Sequence, residues 1–594
     1  MLTLATHPAT GRGLYVTNAV RAGTDVHTSP APLAHAFTSP LACGSCGAPP
    51  PAPPAQHPAC QGCLHLRFCS RACQARDWPA HRLECSAFRQ AAQRGAAAAL
   101  SPAVRLVHRM LRAAGAAAAA AAEGAPPSDG PLSDPARLAA LEAAPSGLRH
   151  QASNYALHTE RDLAAYAALC PALVLLQAQA QRQCSPREVL AMCARARCSA
   201  FTVCDSELRP LGLALFGVGG AANHSCAPTA LAHFDASAGG GLQQRLRVTS
   251  ALASGAELTI AYCEVGAPTH ARRAELQRGY FFQCGCARCA AAAAVEAQLL
   301  LAPAGSGLTA LPRVPLAGGA PAASGAAAAA AEELGEGPLP YWRYLEAHSP
   351  QDVAMLSVPC STLCATAAAA AAAGSPQPTC PGALLCVPAV GVGEQGDPGS
   401  DGGLFALPCA ACGAAPQPEP AQRLAALFAC VEGLRGGGGG AGGGVRGAAL
   451  VSSPGAAGAG AGATPPRERL AACLAALAQA QALRLPPTHY LLFTSAAAAA
   501  HAAVDAEAWG AGLEAGALAV PGMEAAYPPG HPAPPLHAAL LGKLAHFLEQ
   551  SAMAALHFER ALQGLQRTHG KEHPLVLDIA GRMAEACDEA SARV

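Results

Sequence analysis

NHSCAP at residues 223–228, GAELTIAY at 255–262 and RRAELQRGYFFQCGCARC at 272–289 form the stretch on which the reading of this chain turns. Around it, from residue 200 to 262, the texture is β-like. AFTV, LGLALF, LRVTSAL and ELTIAY are short apolar runs separated by Gly, Asn and Pro. Taken singly, each segment has a plain structural explanation: the Asn-His pair can be a satisfied turn, and Tyr262 a core aromatic. Cys284-x-Cys286-x2-Cys289 is more pointed, because it offers three thiolates at metal-binding spacing, and three alone leave a tetrahedral ion with an open position.

Upstream, from about residue 88 to 195, the apolar spacing becomes helical. SPREV supplies Ser185 as N-cap, Pro186 at the first helical position and Glu188 to close a capping box. Earlier still, the block 43–85 is too small and polar to hold a core without metal. It carries Cys43-x2-Cys46, Cys60-x2-Cys63, Cys69-x3-Cys73 and His81-x3-Cys85, eight soft ligands in four pairs and so two zinc ions. Thr10-Gly11-Arg12-Gly13-Leu14-Tyr15-Val16 precedes it, a glycine-flanked turn. Downstream, residues 296–420 are broken by Pro, Gly and Ala runs and read as loosely structured. After residue 466 helical periodicity returns almost to the last residue, with Ala554 and Phe558 four apart as in a helix-turn-helix repeat.

The chain has 594 residues, enough for several domains, and its 39 Lys plus Arg equal its 39 Asp plus Glu. That balance disfavours a polyanion partner, so direct nucleic-acid binding is not expected. The apolar fraction of 51% is swollen by alanine, since aromatics are only 4%. The homopolymer runs at 116–122, 326–331, 367–373 and 436–440 read as linkers or loop expansions. Residues 1–15 lack a basic and apolar leader pattern, and no stretch reads as a membrane span. The 26 cysteines cluster in ligand spacings rather than as a disulfide framework, which implies a reducing compartment, cytoplasm and/or nucleus.

Four segments in this order, with a cysteine block between the first and second, resemble the SET and MYND domain-containing protein-lysine methyltransferase family. The resemblance implies an α+β protein whose β-rich SET core is split by a zinc-binding MYND finger. A four-cysteine post-SET zinc site and an α-helical tetratricopeptide-like C-terminal domain follow. The implied divisions are 1–42 for the N-terminal part of the SET domain, 43–85 for the MYND finger and 86–195 for a helical SET insert. Next come 196–265 for the SET core, 266–295 for the post-SET segment, 296–420 for a low-complexity linker and 421–594 for the helical domain. In the finger the pairs would alternate: Cys43, Cys46, Cys69 and Cys73 on one ion, Cys60, Cys63, His81 and Cys85 on the other. Cys226 would join Cys284, Cys286 and Cys289 on a third. Cys380, Cys409 and Cys412, with Cys360 or Cys364, resemble a short ribbon; they read either as a fourth zinc site or as free thiols in an insert.

By the same resemblance the cofactor is S-adenosylmethionine, held by Arg12, Gly13, Asn223 and His224, and Tyr262 is the catalytic tyrosine. Phe216, Tyr280 and Phe282 would line the lysine channel. The implied partners are substrate proteins, histone or non-histone, and peptides docking on the MYND finger, with no membrane. Thr229, Phe216, Ser199 and the run Gly219-Gly220-Ala221-Ala222 depart from the family pattern, and together these departures would loosen the cofactor pocket. The competing reading is a zinc-dependent interaction scaffold around an inactive SET core; a DNA-reading factor is disfavoured by the zero net charge.

Overall fold

The computed structural model describes residues 2–7, 11–38, 41–50, 56–95, 100–121, 138, 140–143, 146–180, 184–237, 241–290, 309–310, 352, 355–359, 383–388, 404–406, 418–437 and 464–592. Its first half mixes strands and helices. β1 (Leu2–His7), β2 (Gly11–Val16), β3 (Asp25–Ser29) and β4 (Ala34–Phe37) come before the cysteine block. α1 (Arg71–Gln93) and α2 (Pro102–Ala121) follow it, then α3 (Ser146–His150), α4 (Glu160–Ala167), α5 (Cys170–Ala180) and α6 (Pro186–Ser199). α6 begins as its sequence requires: Ser185 caps it, Glu188 reaches back, and Pro186 opens the first turn. α1 runs past residue 85, so finger and insert share one helix and no linker separates them.

β5 (Phe201–Cys204), β6 (Pro210–Leu215), β7 (Asn223–His224), β8 (Ala230–Ser237), β9 (Gly241–Val248) and β10 (Glu257–Ile260) precede α7 (Thr269–Tyr280). Three small sheets result, ordered β1-β2-β10-β7, β3-β9-β8 and β4-β6-β5. Each needs strands from both sides of the cysteine block, so the block is an insertion in one β-rich unit. Leu14, Val16, Leu246, Leu258 and Ile260 form its buried core together with Tyr262, Cys226 and Cys284.

Between 296 and 420 the structure departs from the expected loose linker. β11 (Thr309–Ala310), β12 (Ser357–Pro359), β13 (Ala383–Pro388) and β14 (Leu404–Ala406) make an antiparallel sheet ordered β11-β14-β13-β12. Strands so short, so far apart in sequence, carry no periodic signal of their own. α8 (Pro418–Gly437), α9 (Pro466–Ala482), α10 (Tyr490–Asp505), α11 (Trp509–Ala526), α12 (Ala533–Phe547), α13 (Ser551–Thr568) and α14 (Pro574–Ala592) complete the chain. Here alanine and glycine are packing residues. A Cβ at Gly516 would meet Leu541 at 2.5 Å and one at Gly522 would meet Phe493 at 2.4 Å, so the helices approach closely without large side chains. Ala554 and Phe558, four apart on α13, are both fully buried. Among the described residues, no helix is long and apolar enough to cross a membrane.

Candidate functional site

Three groups of soft ligands are preassembled. The ligand atoms of Cys43, Cys46, Cys69 and Cys73 lie within 4.8 Å of one another, as do those of Cys60, Cys63, His81 and Cys85. Four sulfurs about 2.3 Å from a central zinc stand ~3.8 Å apart at the corners of a tetrahedron. The observed Sγ separations are 3.7 Å for Cys46–Cys69, 3.4 Å for Cys69–Cys73 and 3.9 Å for Cys60–Cys85, and His81 Nε2 is 3.7 Å from Cys63 Sγ. Burial pushes His81 down to about 4, leaving a neutral imidazole able to ligate. The pairs alternate between the two sites, and both fit zinc.

α1, which carries Cys73, His81 and Cys85, is pinned to α2 by ions. Glu84 is fully buried and meets Arg105 Nε at 3.1 Å and Arg109 Nε at 2.6 Å. Arg109 also forks onto Asp77 at 2.8 and 3.0 Å, while Arg105 donates to the Phe37 carbonyl of β4 at 3.0 Å. Burial alone would raise the Glu84 carboxyl; the two guanidiniums overcome it and hold Glu84 far below the usual carboxylate range.

The third group is Cys226 with Cys284, Cys286 and Cys289, again within 4.8 Å of one another. Cys226 Sγ lies 3.4 Å from Cys289 and 4.0 Å from Cys284. Four thiolates around a divalent ion carry a net charge of −2, and two arginines border them. Arg272, fully buried, reaches Cys289 Sγ at 3.7 Å and Thr269 at 2.7 Å. Arg288 donates to the carbonyls of Cys226 at 3.1 Å, Val265 at 2.7 Å and Ala526 at 2.8 Å. The donor set again fits zinc.

β10 gathers the remaining candidate residues. It pairs antiparallel with β2, placing Glu257 opposite Tyr15, and parallel with β7, placing Thr259 beside Asn223 and Ile260 beside His224. Asn223 Nδ2 donates to the Arg12 carbonyl at 3.0 Å and to Glu257 Oε1 at 2.8 Å. A Cβ at Gly13 would stand 2.5 Å from Glu257 Oε1 and 2.9 Å from Asn223 Nδ2, so a side chain there would push that hydrogen-bonded pair aside. Arg12 itself bonds the His150 carbonyl, and burial lowers its pKa. Tyr262, 8% exposed, donates its hydroxyl to the Ala222 carbonyl at 2.5 Å and its N–H to His224 Nδ1 at 3.0 Å. Tyr280 Oη reaches the Tyr262 carbonyl at 3.3 Å; the Tyr280 ring sits 4.9 Å and the Phe282 ring 6.4 Å from that of Tyr262. Phe216, fully buried, packs with Phe201 and Phe234 in a second aromatic trio.

The glycine run expected to loosen this region does not. A Cβ at Gly219 would collide with the Gln244 amide at 1.8 Å, and one at Gly220 with Gln151 Oε1 at 2.1 Å, so two buried amides occupy the space bulkier residues would fill. Gln151 Nε2 also bonds the carbonyls of Gly147 and Gly217, both at 3.2 Å. Sequence reasoning missed Glu257, Gln151 and Gln244. Cys360, Cys364, Cys380, Cys409 and Cys412, offered for a fourth zinc, lie outside the described residues.

Residues 43–85 match the MYND finger family. The chain is 26% identical over 231 residues to histone-lysine N-methyltransferase ASHR1 of Arabidopsis thaliana, covering 39% of this chain and 43% of that protein. It is 27% identical to histone-lysine N-methyltransferase SMYD3 of Mus musculus (39% and 48%) and 29% identical to N-lysine methyltransferase SMYD2-A of Xenopus laevis (39% and 47%). The chain thus spans about half the length of the curated relatives it matches. The chain thus carries a MYND finger and, over 39% of its length, is similar to several proteins named as lysine methyltransferases, SET and MYND domain-containing ones among them.

Proposed function

We propose that the chain transfers a methyl group from S-adenosylmethionine to lysine side chains of histone or non-histone proteins. The observation that carries this reading is the convergence on β10 of Arg12, Gly13, Asn223, His224 and Tyr262, which come from segments more than 200 residues apart. In this reading 1–42 and 196–265 form the SET core, 86–195 its insert, 266–295 the post-SET segment, 296–420 the connecting region and 421–594 the substrate-restricting helical domain. The likeness to these methyltransferases and the absence of any membrane-crossing helix among the described residues are compatible with work on proteins in cytoplasm or nucleus. The MYND finger would add a docking site for partner peptides.

Bound between Arg12–Gly13 and Asn223–His224, the cofactor would supply an electrophilic methyl on a sulfonium. The protein's own task is the amine. A free lysine has pKa ~10.4, so it arrives mostly protonated. A channel walled by Tyr262, Tyr280 and Phe282 disfavours the ammonium by desolvation. The Tyr262 hydroxyl donates a hydrogen bond to the Ala222 carbonyl, which turns the oxygen's lone pairs away from that carbonyl and leaves them to accept from the substrate nitrogen. Tyr280, anchored to the Tyr262 carbonyl, keeps that ring in place. The groups that orient the amine are therefore set before it enters.

The test is calorimetry of S-adenosylmethionine with zinc-replete protein, paired with transfer of labelled methyl into a cell lysate. Donor binding with transfer to protein lysine is expected. Absence of donor binding would leave the interaction-scaffold reading instead.

A further inference from the structure

His224 stands between the four-thiolate cluster and the backbone of Tyr262. Its Nδ1 is 3.0 Å from Tyr262 N, and since a backbone N–H can only donate, Nδ1 is the lone-pair nitrogen. In a neutral imidazole the proton is then on Nε2, an assignment that follows from the hydrogen-bond network. Nε2 lies 3.2 Å from Cys226 Sγ, so this N–H is aimed at a sulfur that becomes a thiolate once the cluster holds its ion. His224, Cys226 and Cys263 also bring their ligand atoms within 4.8 Å. The same tautomer argues against a second metal there, because the nitrogen facing Cys226 carries a proton rather than a lone pair.

We propose that His224 is a positioning residue that links filling of the four-cysteine site to the placement of Tyr262. The inference rests on the reading of Tyr262 as the group acting in methyl transfer. Metal ligands held by an outer hydrogen bond are oriented by it, and here the bond comes from a ring fixed at its other end by the peptide of the catalytic tyrosine. Ring contacts complete the fixation: the His224 centroid is 5.4 Å from Tyr262 and 6.1 Å from Phe282. With both nitrogens engaged by the protein, the ring is not what would hold the cofactor. That share falls to the His224 backbone, on β7, the edge strand of its sheet.

Two conservative variants separate the arms. In His224→Gln the amide nitrogen reaches roughly where Nε2 was, keeping a donor for Cys226 while losing the acceptor for Tyr262. In His224→Asn the oxygen falls near Nδ1, keeping that acceptor while losing the donor. Zinc release from the full chain into a chromogenic chelator reads the first arm, with Cys226→Ser identifying the kinetic phase that belongs to this site. The Asn variant should release that zinc ~10- to 100-fold faster, and the Gln variant close to the wild-type rate. Hydrogen exchange of the peptide containing Tyr262 reads the second arm: the Gln variant should lose protection there with its zinc retained.

The link itself is read by a double-mutant cycle. Cys286→Ser weakens the site and should speed exchange at Tyr262 about tenfold or more in the wild-type background, but by little in His224→Gln. Equal zinc release by the wild type and both variants, or an equal effect of Cys286→Ser in both backgrounds, would overturn the proposal. None of these readouts needs a donor or substrate. An expected pattern in them from a protein that transfers no methyl group would therefore uphold the link and refute the methyltransferase reading instead.

Discussion

At the scale of single residues, Tyr262 offers the sharpest separation of structure from chemistry. Tyr262→Phe keeps the ring against Tyr280 but strands the fully buried Ala222 carbonyl, which should cost about 1–3 kcal/mol of stability. If the hydroxyl acts on the transition state, methyl transfer at saturating donor should fall ~10²- to 10³-fold with donor affinity nearly unchanged. A loss below about tenfold would reduce Tyr262 to a core aromatic, and weakened donor binding would mean the pocket itself had moved. Contiguous motifs single out Arg12, Gly13, Asn223, His224 and Tyr262 in the sequence, and strand pairing brings them together. Glu257 was not legible there, because what matters about it is a distance to Asn223 that exists only after β2, β7 and β10 have paired. Gln151 and Gln244 were hidden for the same reason, and without them the glycines at 219 and 220 read as empty space.

Among secondary-structure elements, the contact of α1 with α2 carries the most concentrated energetic risk. Arg109→Ala would leave Asp77 without its bidentate partner and Glu84 with only Arg105, at a site where neither acid reaches water. Removing one partner of such a buried pair costs about 3–5 kcal/mol, and a urea denaturation midpoint would register it. Because α1 also supplies Cys73, His81 and Cys85, the same variant should loosen zinc in the finger. A drop under about 1 kcal/mol would mean that the buried acids find other partners. The start of α6 was legible because Ser185, Pro186 and Glu188 are neighbours in the chain. The sheet β11–β14 was not, since its longest strand has six residues and its partners are separated by Ala, Gly and Pro runs. The α1–α2 ion cluster escaped notice as well: sequence shows charges on a helix, and solvation is the ordinary expectation for them.

For the whole molecule, acid is the informative stress. In the helical C-terminal region, burial pushes His489 and His531 down to about 3 and His537 and His569 down to about 4. Unfolded, each would titrate near 6.5. The sign follows: between pH ~6.5 and ~4 the unfolded chain binds protons that the folded chain refuses, so stability falls as pH falls through that window and is level above it. Thermal or urea midpoints measured from pH 7.5 to 4.5 should hold steady and then decline by more than one proton's worth of slope. A flat profile would mean these rings are solvated in solution. His569 matters beyond its own region, since its Nε2 donates to the Ser206 carbonyl in the turn between β5 and β6 at 3.0 Å. A proton on His569 would keep that bond but be repelled by Arg245 and Arg247 of β9, so acidification should loosen the contact between the helical and β-rich halves along with the helices.

Arg288 draws together parts of the chain that are made at very different times. Its guanidinium holds the Cys226 and Val265 carbonyls beside the thiolate cluster and, in the same plane of donors, the carbonyl of Ala526 at the last turn of α11, where a cation also suits the helix dipole. During synthesis the first two partners emerge more than 200 residues before the third. A cluster already closed around its ion presents α11 with a finished landing place; one still open presents a wandering cation. One of the contacts that seat the helical region, beside those of His569 and Lys543, therefore rests on a segment that the ion would hold in place. Stripped of zinc, the full chain should hold Ala526 less firmly than the metal-loaded protein does, and hydrogen exchange at the last turn of α11 would register the difference.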